Sequence, residues 1–265
     1  MRIVDSHCHV AADWFEPVES LLFQMDRYGV EHAILVQDSA QSDNTYQAAC
    51  VRRHPDRLTS VVVVDVARPD AVETLERLAG EGAVGVRLRQ TARSPGRDPL
   101  AIWRAAERLR LPVSCIGRAS YYLTEDFAAL VLAVPNLPIV IEHLGSGNDP
   151  SVEPVDPAVR RAVFALARFP NLAIKIHGLG EFARRALPLD AEFPFERPIP
   201  PYLDLAVQTF GPSRMMWGSD YPPVSAREGY GSSLHLPMKQ FGSRSEEDRA
   251  LIFGGTAGRL FPPRT

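Results

Sequence analysis

The sequence predicts a closed (β/α)8 barrel of the TIM type, in the α/β class, from the alternation and number of its apolar runs. Short runs rich in Val, Ile and Leu alternate with longer segments of helical period, as in βα units around a parallel sheet. Eight such runs occur, at 3–7, 33–37, 59–65, 83–88, 112–116, 138–143, 172–177 and 214–220. An open doubly wound sheet is the structural alternative, but no glycine fingerprint follows an early run.

A helix is predicted after each strand, which completes the eight units of a barrel. The helical segments are 17–28, 42–53, 70–79, 99–110, 124–134, 156–169, 201–210 and 245–260. Ser42 with Asp43, Thr124, and Ser245 three residues before Asp248 are N-cap signals for three of them. No linker or shift in composition divides the chain, so residues 1–265 are expected to form one domain.

Composition narrows the classes of function. The net charge is −3 and the basic residues are scattered, which argues against a nucleic-acid partner. No apolar run approaches the roughly 20 residues of a membrane span, and no signal-peptide pattern opens the chain, so a cytoplasmic protein with a small-molecule substrate is expected. Three widely spaced cysteines predict no disulfide, and Cys8 is expected to pack in the core. The sequence gives no basis for predicting an oligomeric state.

Two connections are long for a compact barrel. They span 178–200, which is rich in proline, and 221–237. Long irregular connections after barrel strands are usually functional, and surface decoration is the simpler alternative. We expect both segments to cover a site.

Polar residues gather at the predicted C-terminal strand ends, where barrels place catalytic groups. Strand one ends in His7-Cys8-His9, and its alternation predicts that Asp5, His7 and His9 share a face. The corresponding residues of later strands are Arg87, Arg89, Glu142, His143, Lys175, His177 and Asp220. One such residue is often a cap or a core group, but four histidines and an aspartate at four strand ends predict a shared functional site.

Four motifs resemble the amidohydrolase superfamily, and in particular its amidohydrolase 2 branch of metal-dependent hydrolases, lactonases and decarboxylases. The motifs lie at 5–9, 141–145, 216–222 and 253–261, in the family's order and over nearly the whole chain. The resemblance implies a (β/α)8 barrel. It also implies that His7 and His9 are the first-strand metal ligands, that Asp220 binds metal and activates water, and that His143 is the sixth-strand histidine.

The sequence also departs from the family pattern. Arg87 stands where two-metal members carry a lysine, so the resemblance implies one divalent ion, most simply zinc. The fifth strand, 112–116, lacks the histidine of metal-using members, so a fourth ligand would be His143, His177 or water. Members resembling the pyrone lactonase share this gap and need no metal, which leaves a metal-free site open.

The strand-four stretch, residues 85–93, contains two arginines that resemble the carboxylate-binding pair of the pyrone lactonase. Arg87 and Arg93 are therefore expected to hold an acidic substrate, because a guanidinium binds a carboxylate through two parallel hydrogen bonds. The alternative is that Arg87 pairs with a core acid such as Asp5 and that Arg93 is solvated. Lys175 and His177 are expected either to contact substrate or to serve as interior partners.

Together these residues predict hydrolysis of a small lactone or related carbonyl ester. Asp220 would act as general base, while His7, His9 and His143 polarise the carbonyl. Metal-dependent decarboxylation of an aromatic or unsaturated acid is the alternative reaction, and the absent strand-five histidine counts against it. A barrel that only binds its ligand is the third possibility.

Overall fold

The apolar runs form eight parallel strands whose hydrogen-bonded order follows the chain from β1 to β8. The computed structural model describes residues 1–146, 156–188 and 194–263. The strands are β1 Val4–Cys8, β2 His32–Val36, β3 Leu58–Val62, β4 Gly85–Arg89, β5 Val113–Ile116, β6 Ile139–Ile141, β7 Leu172–Ile176 and β8 Met215–Trp217. The predicted (β/α)8 barrel is confirmed.

The barrel closes where the chain just beyond β8 meets β1. The Asp220 backbone N–H donates to the His7 carbonyl at 2.8 Å, and the His9 N–H donates to the Tyr221 carbonyl at 2.7 Å. Gly218 permits this approach, because a Cβ there would lie only 2.6 Å from the His7 Cβ. The seam of the barrel therefore holds three candidate site residues, His7, His9 and Asp220, by their backbones.

Helices surround the sheet, and the predicted ones lie close to their expected places. They are α1 Val18–Tyr28, α2 Thr45–Arg53, α3 Ala71–Gly80, α4 Ala101–Arg108, α5 Ala119–Tyr122, α6 Glu125–Ala133, α7 Pro157–Phe164, α8 Tyr202–Phe210, α9 Tyr230–Gln240, α10 Glu246–Ala250 and α11 Thr256–Leu260. A π-helical turn, Leu251–Gly255, joins α10 to α11. The side chains of Thr124 and Ser245 cap α6 and α10 as predicted.

The N-cap prediction at Ser42 and Asp43 is wrong by one or two residues. Helix α2 begins after Asn44, and the Asp43 carboxylate instead accepts from the Thr45 N–H at 2.9 Å. Two helices, α5 and α9, had not been predicted. Among the described helices none is long and apolar enough to cross a lipid bilayer.

The two long connections differ from the prediction in structure. The segment 221–237 is not irregular, because it contains a 3-10 turn, Pro223–Ala226, and most of α9. The segment 178–200 begins with a 3-10 turn, Leu179–Glu181, and its residues 189–193 lie outside the described part of the chain.

The pairing of β1 with β2 is irregular between Asp5 and Cys8. The shared face of Asp5, His7 and His9 stays a prediction, and the Asp5 carboxylate accepts from the His7 backbone N–H at 3.1 Å. The Asp5 carboxylate accepts from the Ser219 N–H at 2.8 Å and from the Tyr230 hydroxyl of α9 at 2.9 Å. Cys8, Cys50 and Cys115 are free and buried, and Cys8 packs in the core as expected.

Candidate active site

The predicted strand-end residues converge at the C-terminal end of the barrel. One carboxylate oxygen of Asp220, Oδ1, lies 3.8 Å from His7 Nε2, 3.6 Å from His9 Nε2 and 3.9 Å from His177 Nδ1. The rings of His143 and His177 stack with their centroids 3.8 Å apart. One acidic oxygen is therefore surrounded by imidazoles from β1 and β7, and the His143 ring, which follows β6, stacks on one of them.

The backbone is unusual at two of these residues. Asp220 has φ +58° and His143 has φ +53°, in the left-handed region that residues other than glycine seldom occupy. Such conformations cost free energy and persist where the surrounding structure enforces them, commonly at functional sites. At Asp220 the enforcement is visible, since its N–H is bonded to the His7 carbonyl.

Part of this cluster has the geometry and chemistry of a metal site. His7, His143, His177 and Asp220 each offer a ligand atom, and these atoms lie within 4.8 Å of one another. Within the described residues, His7 Nε2 and both ring nitrogens of His177 are buried without a hydrogen-bond partner. Burial, and after it the charge of His143, lowers the pKa of His177 to about 3, so the ring is neutral and one of its two nitrogens carries a free lone pair. Three imidazoles and a carboxylate form a donor set that suits zinc.

His9 lies at the edge of the cluster. It is not one of the four residues whose ligand atoms lie close together, although it was predicted as a ligand. Its Nδ1 donates to the Val36 carbonyl at 2.5 Å, and its Nε2 lies 3.6 Å from Asp220 Oδ1. Strand five has no histidine, and His143 and His177 offer ligand atoms in its place. The role of His9 as a ligand stays a prediction.

Arg87 lies in a buried ion pair beside the cluster. Its Nε and Nη2 donate to the two carboxylate oxygens of Glu142 at 3.1 and 2.7 Å, and its Nη1 donates to the Gln37 carbonyl at 3.1 Å. Burial alone would raise the pKa of Glu142, but the cations of Arg87 and Lys175 lower it. The structure matches the alternative in which Arg87 pairs with a core acid, and that acid is Glu142 rather than Asp5. To bind substrate, Arg87 would have to give up this pair.

Lys175 supports the first histidine from within the barrel. Its ammonium group is fully buried and lies 2.9 Å from the Ser6 carbonyl, 2.9 Å from the Ser114 hydroxyl and 3.3 Å from His7 Nδ1. Burial lowers the pKa of Lys175 to about 8. The contacts match the interior role that the sequence left open for it, since no part of the side chain is exposed.

Two neighbouring cavities open beside the cluster and are lined by arginines. The larger, of about 460 Å³, is lined by Arg87, Arg89 and Arg93, among other residues. The smaller, of about 250 Å³, is lined by Arg89, Arg118 and His143, and the two share Thr91 and Ile116. Arg93 donates to the carbonyls of Gln90 and Ala92, so its guanidinium is held at the cavity wall. A cationic recess thus leads to one of the clustered histidines.

Three charged residues of the site had not been predicted: Glu181, Arg227 and Glu228. Arg227 Nη2 lies 2.6 Å from Asp220 Oδ2, and its Nη1 lies 3.4 Å from Glu181 Oε1. The same Glu181 oxygen is hydrogen-bonded to His143 Nδ1. Burial alone would lower the pKa of His143, but Glu181 raises it. The only signal in the sequence was their position within the two long connections.

These observations define a (β/α)8 barrel with a histidine and aspartate cluster at its C-terminal end, as the sequence resemblance implied. A family model described as amidohydrolase matches residues 4–262, so the chain belongs to that family. The expectation of an amidohydrolase-related enzyme is confirmed.

Three relatives illustrate the similarity. The chain is 33% identical to L-fucono-1,5-lactonase of Burkholderia multivorans (strain ATCC 17616 / 249) over 46% of this chain and 42% of that protein. It is 25% identical to 4-sulfomuconolactone hydrolase of Rhizobium radiobacter over 83% of this chain and 70% of that protein. The matches thus span less than half of the first relative's length and over two thirds of the second's. In fold, it superposes on an amidohydrolase from Burkholderia multivorans solved with bound zinc, with a TM-score of 0.77, 22% identity and all of both chains covered.

Proposed function

We propose that the protein hydrolyses a small anionic lactone or related carbonyl ester, with Asp220 as general base. The observation that carries this proposal is the position of Asp220 Oδ1 among the rings of His7, His9 and His177, at 3.6 to 3.9 Å. Burial alone would raise the pKa of Asp220, but the neighbouring His177 and His9 hold it well below its usual range. The carboxylate is therefore ionised and ready to accept a proton from water.

A divalent ion, zinc in the simplest case, would be held by His7, His143, His177 and Asp220, with His9 as a further candidate. When bound, zinc supplies a Lewis acid that polarises a carbonyl and lowers the pKa of water. The protein's own groups do the rest. Asp220 takes the proton of the attacking water, and burial keeps the imidazoles of His7 and His177, which face its carboxylate, in their neutral form.

The arginine-lined cavities support an anionic substrate. Arg93 and the exposed Arg89 and Arg118 line the recess that leads to His143, whereas Arg87 is occupied by Glu142. A substrate carboxylate held by these arginines would place its reacting carbonyl toward the histidine cluster. The relatives named L-fucono-1,5-lactonase and 4-sulfomuconolactone hydrolase support the lactone part of the proposal.

Asp220→Asn tests the assignment directly. The amide keeps the shape of the side chain but cannot accept the proton, so kcat should fall by about 10²–10⁴-fold while the fold is retained. The measurement is turnover against a panel of anionic lactones, with circular dichroism to check folding. Asp26→Asn, at an exposed acid of α1, is the matched control and should keep wild-type turnover. Wild-type turnover in Asp220→Asn would reject the assignment.

Decarboxylation is the second candidate, and one observation favours it. The absent strand-five histidine argued against a tightly held metal, yet His7, His143, His177 and Asp220 together offer four ligand atoms. An assay that follows acid production from lactones and CO₂ release from aromatic or unsaturated acids, on the same zinc-loaded preparation, separates the two reactions. CO₂ release without lactone hydrolysis would replace the first proposal with the second.

A further inference from the structure

Arg227 contacts the proposed base without having a part in the mechanism above. It follows the 3-10 turn Pro223–Ala226, in the connection after β8. Its Nη2 lies 2.6 Å from Asp220 Oδ2, and only 17% of the arginine side chain is exposed. This is a nearly enclosed ion pair, in which a carboxylate is held far more firmly than in a surface pair.

The contact makes the two oxygens of Asp220 unequal. Oδ2 is bonded to Arg227, while Oδ1 faces His7, His9 and His177. A free carboxylate can turn about its last side-chain bond and exchange its oxygens, and this one is prevented from doing so. Oδ1 is therefore the oxygen that faces the histidine cluster.

The second arm of the guanidinium reaches another part of the same site. Arg227 Nη1 lies 3.4 Å from Glu181 Oε1, and that oxygen is also bonded to His143 Nδ1. A planar guanidinium can span two carboxylates, which a lysine ammonium does not do in the same fixed geometry. Arg227 therefore connects Asp220 after β8 with Glu181 after β7, and through Glu181 with His143.

Arg227 packs closely against the turn that follows β7. A Cβ at Gly180 would lie 2.6 Å from the Arg227 Cβ and 2.3 Å from Glu228 Oε2. Glu228 is itself buried and accepts from the Gly180 N–H at 3.1 Å. The turn after β7 thus has a glycine where the arginine and its neighbouring glutamate must fit.

We propose that Arg227 is a positioning residue of the reaction: it holds Asp220 Oδ2 so that Oδ1 alone meets the reacting groups, and it holds Glu181 against His143. Its charge has a second consequence. A guanidinium beside the ligand cluster repels a divalent cation, so it sets the affinity for zinc lower than the ligands alone would give. The expected effect on kcat rests on the proposed hydrolysis, whereas the expected effect on zinc affinity does not.

Three variants separate the effect of the forked guanidinium, which spans two carboxylates, from the effect of its positive charge. Arg227→Gln removes both, so kcat should fall about 100-fold with KM nearly unchanged, and zinc should bind roughly tenfold more tightly. Arg227→Lys keeps the charge and loses the fork, so kcat should fall similarly while zinc affinity stays at the wild-type value. Guanidinium added to Arg227→Ala should restore part of kcat. Arg104→Gln is the matched control, because it breaks an exposed ion pair between Arg104 of α4 and Asp98.

The zinc affinities are measured on metal-free protein by competition with a chromophoric chelator, and the rates on zinc-loaded protein. Wild-type kcat in Arg227→Gln or Arg227→Lys would overturn the inference, and so would weaker zinc binding by folded Arg227→Gln. If the wild-type protein hydrolyses no lactone, the proposed function fails instead. The order of zinc affinities among the variants then still decides whether Arg227 acts on the cluster.

Discussion

At the scale of single residues, the pair of Arg87 and Glu142 is both a support of the site and a risk to stability. Arg87 is 5% exposed and Glu142 is 1% exposed, so both charges are desolvated. Such a pair contributes little against an apolar replacement, but removing one partner leaves an uncompensated buried charge. The Ser114 hydroxyl, which also donates to Glu142 at 2.6 Å, cannot replace a cation.

Arg87→Leu should therefore lower the free energy of unfolding by about 3–5 kcal/mol. The double variant Arg87→Leu with Glu142→Leu should recover part of that loss, because the carboxylate that lost its arginine partner is removed as well. Urea denaturation followed by circular dichroism gives both values. Arg104→Leu, which breaks an exposed pair with Asp98, should cost at most about 1 kcal/mol. An Arg87→Leu loss as small as that of Arg104→Leu would contradict the argument.

At the scale of elements, the strands were predictable, and two helices, α5 and α9, were not. Buried parallel strands leave continuous apolar runs, and seven of the eight site residues predicted from the sequence lie on a strand or within a few residues of its end: His7, His9, Arg87, His143, Lys175, His177 and Asp220. Arg93, four residues beyond β4, is the eighth. Helix α9 contains Gly231, Ser233 and Pro237, all poor helix formers.

Tertiary contacts explain why α9 forms despite this sequence. Trp217 Nε1 donates to the Ser233 carbonyl at 2.8 Å, and the Tyr230 hydroxyl donates to Asp5 at 2.9 Å. A Cβ at Gly231 would lie 2.4 Å from the Tyr28 ring of α1, so only glycine allows this approach. Contacts between distant segments leave no local periodicity, and Arg227 and Glu181 were missed for the same reason.

The π-helical turn before α11 gives a test at this scale. A Cβ at Gly254 would lie 2.3 Å from the backbone carbonyl oxygen of Arg2, which has little freedom to move. Gly254→Ala should therefore destabilise the protein by about 1–3 kcal/mol. Gly258→Ala, in α11 with nothing within 4 Å, should instead stabilise it by roughly 0.5–1 kcal/mol. Thermal and urea unfolding of the two variants compare them; equal effects would contradict the close approach.

At the scale of the whole molecule, the barrel brings together residues as far apart as His7 and Asp220. Their meeting was predictable because the ends of parallel strands share one rim of a closed barrel. The composition of the ligand set was less predictable. Alternation along β1 favours His7 with His9, whereas the fold places ligand atoms of His143 and His177 nearer to one another and to His7 and Asp220. Side-chain direction after a strand ends depends on turns such as the one at His143, whose φ is +53°.

Zinc-linked stability distinguishes these ligand sets in the intact protein. An ion that binds only the folded state stabilises it by about 2.7 kcal/mol at one hundred times its Kd, which corresponds to a rise in Tm of roughly 5–10 °C for a chain of this size. His177→Gln and His143→Gln should lose most of that rise if the four clustered residues are the ligands, while His9→Gln keeps it. His235→Gln, at an exposed histidine of α9, is the control and should behave as wild type. Scanning calorimetry with and without zinc measures the rise in Tm for each variant. The opposite order, with His9→Gln losing the rise and His177→Gln keeping it, would instead assign the metal site to His7 and His9 of the first strand.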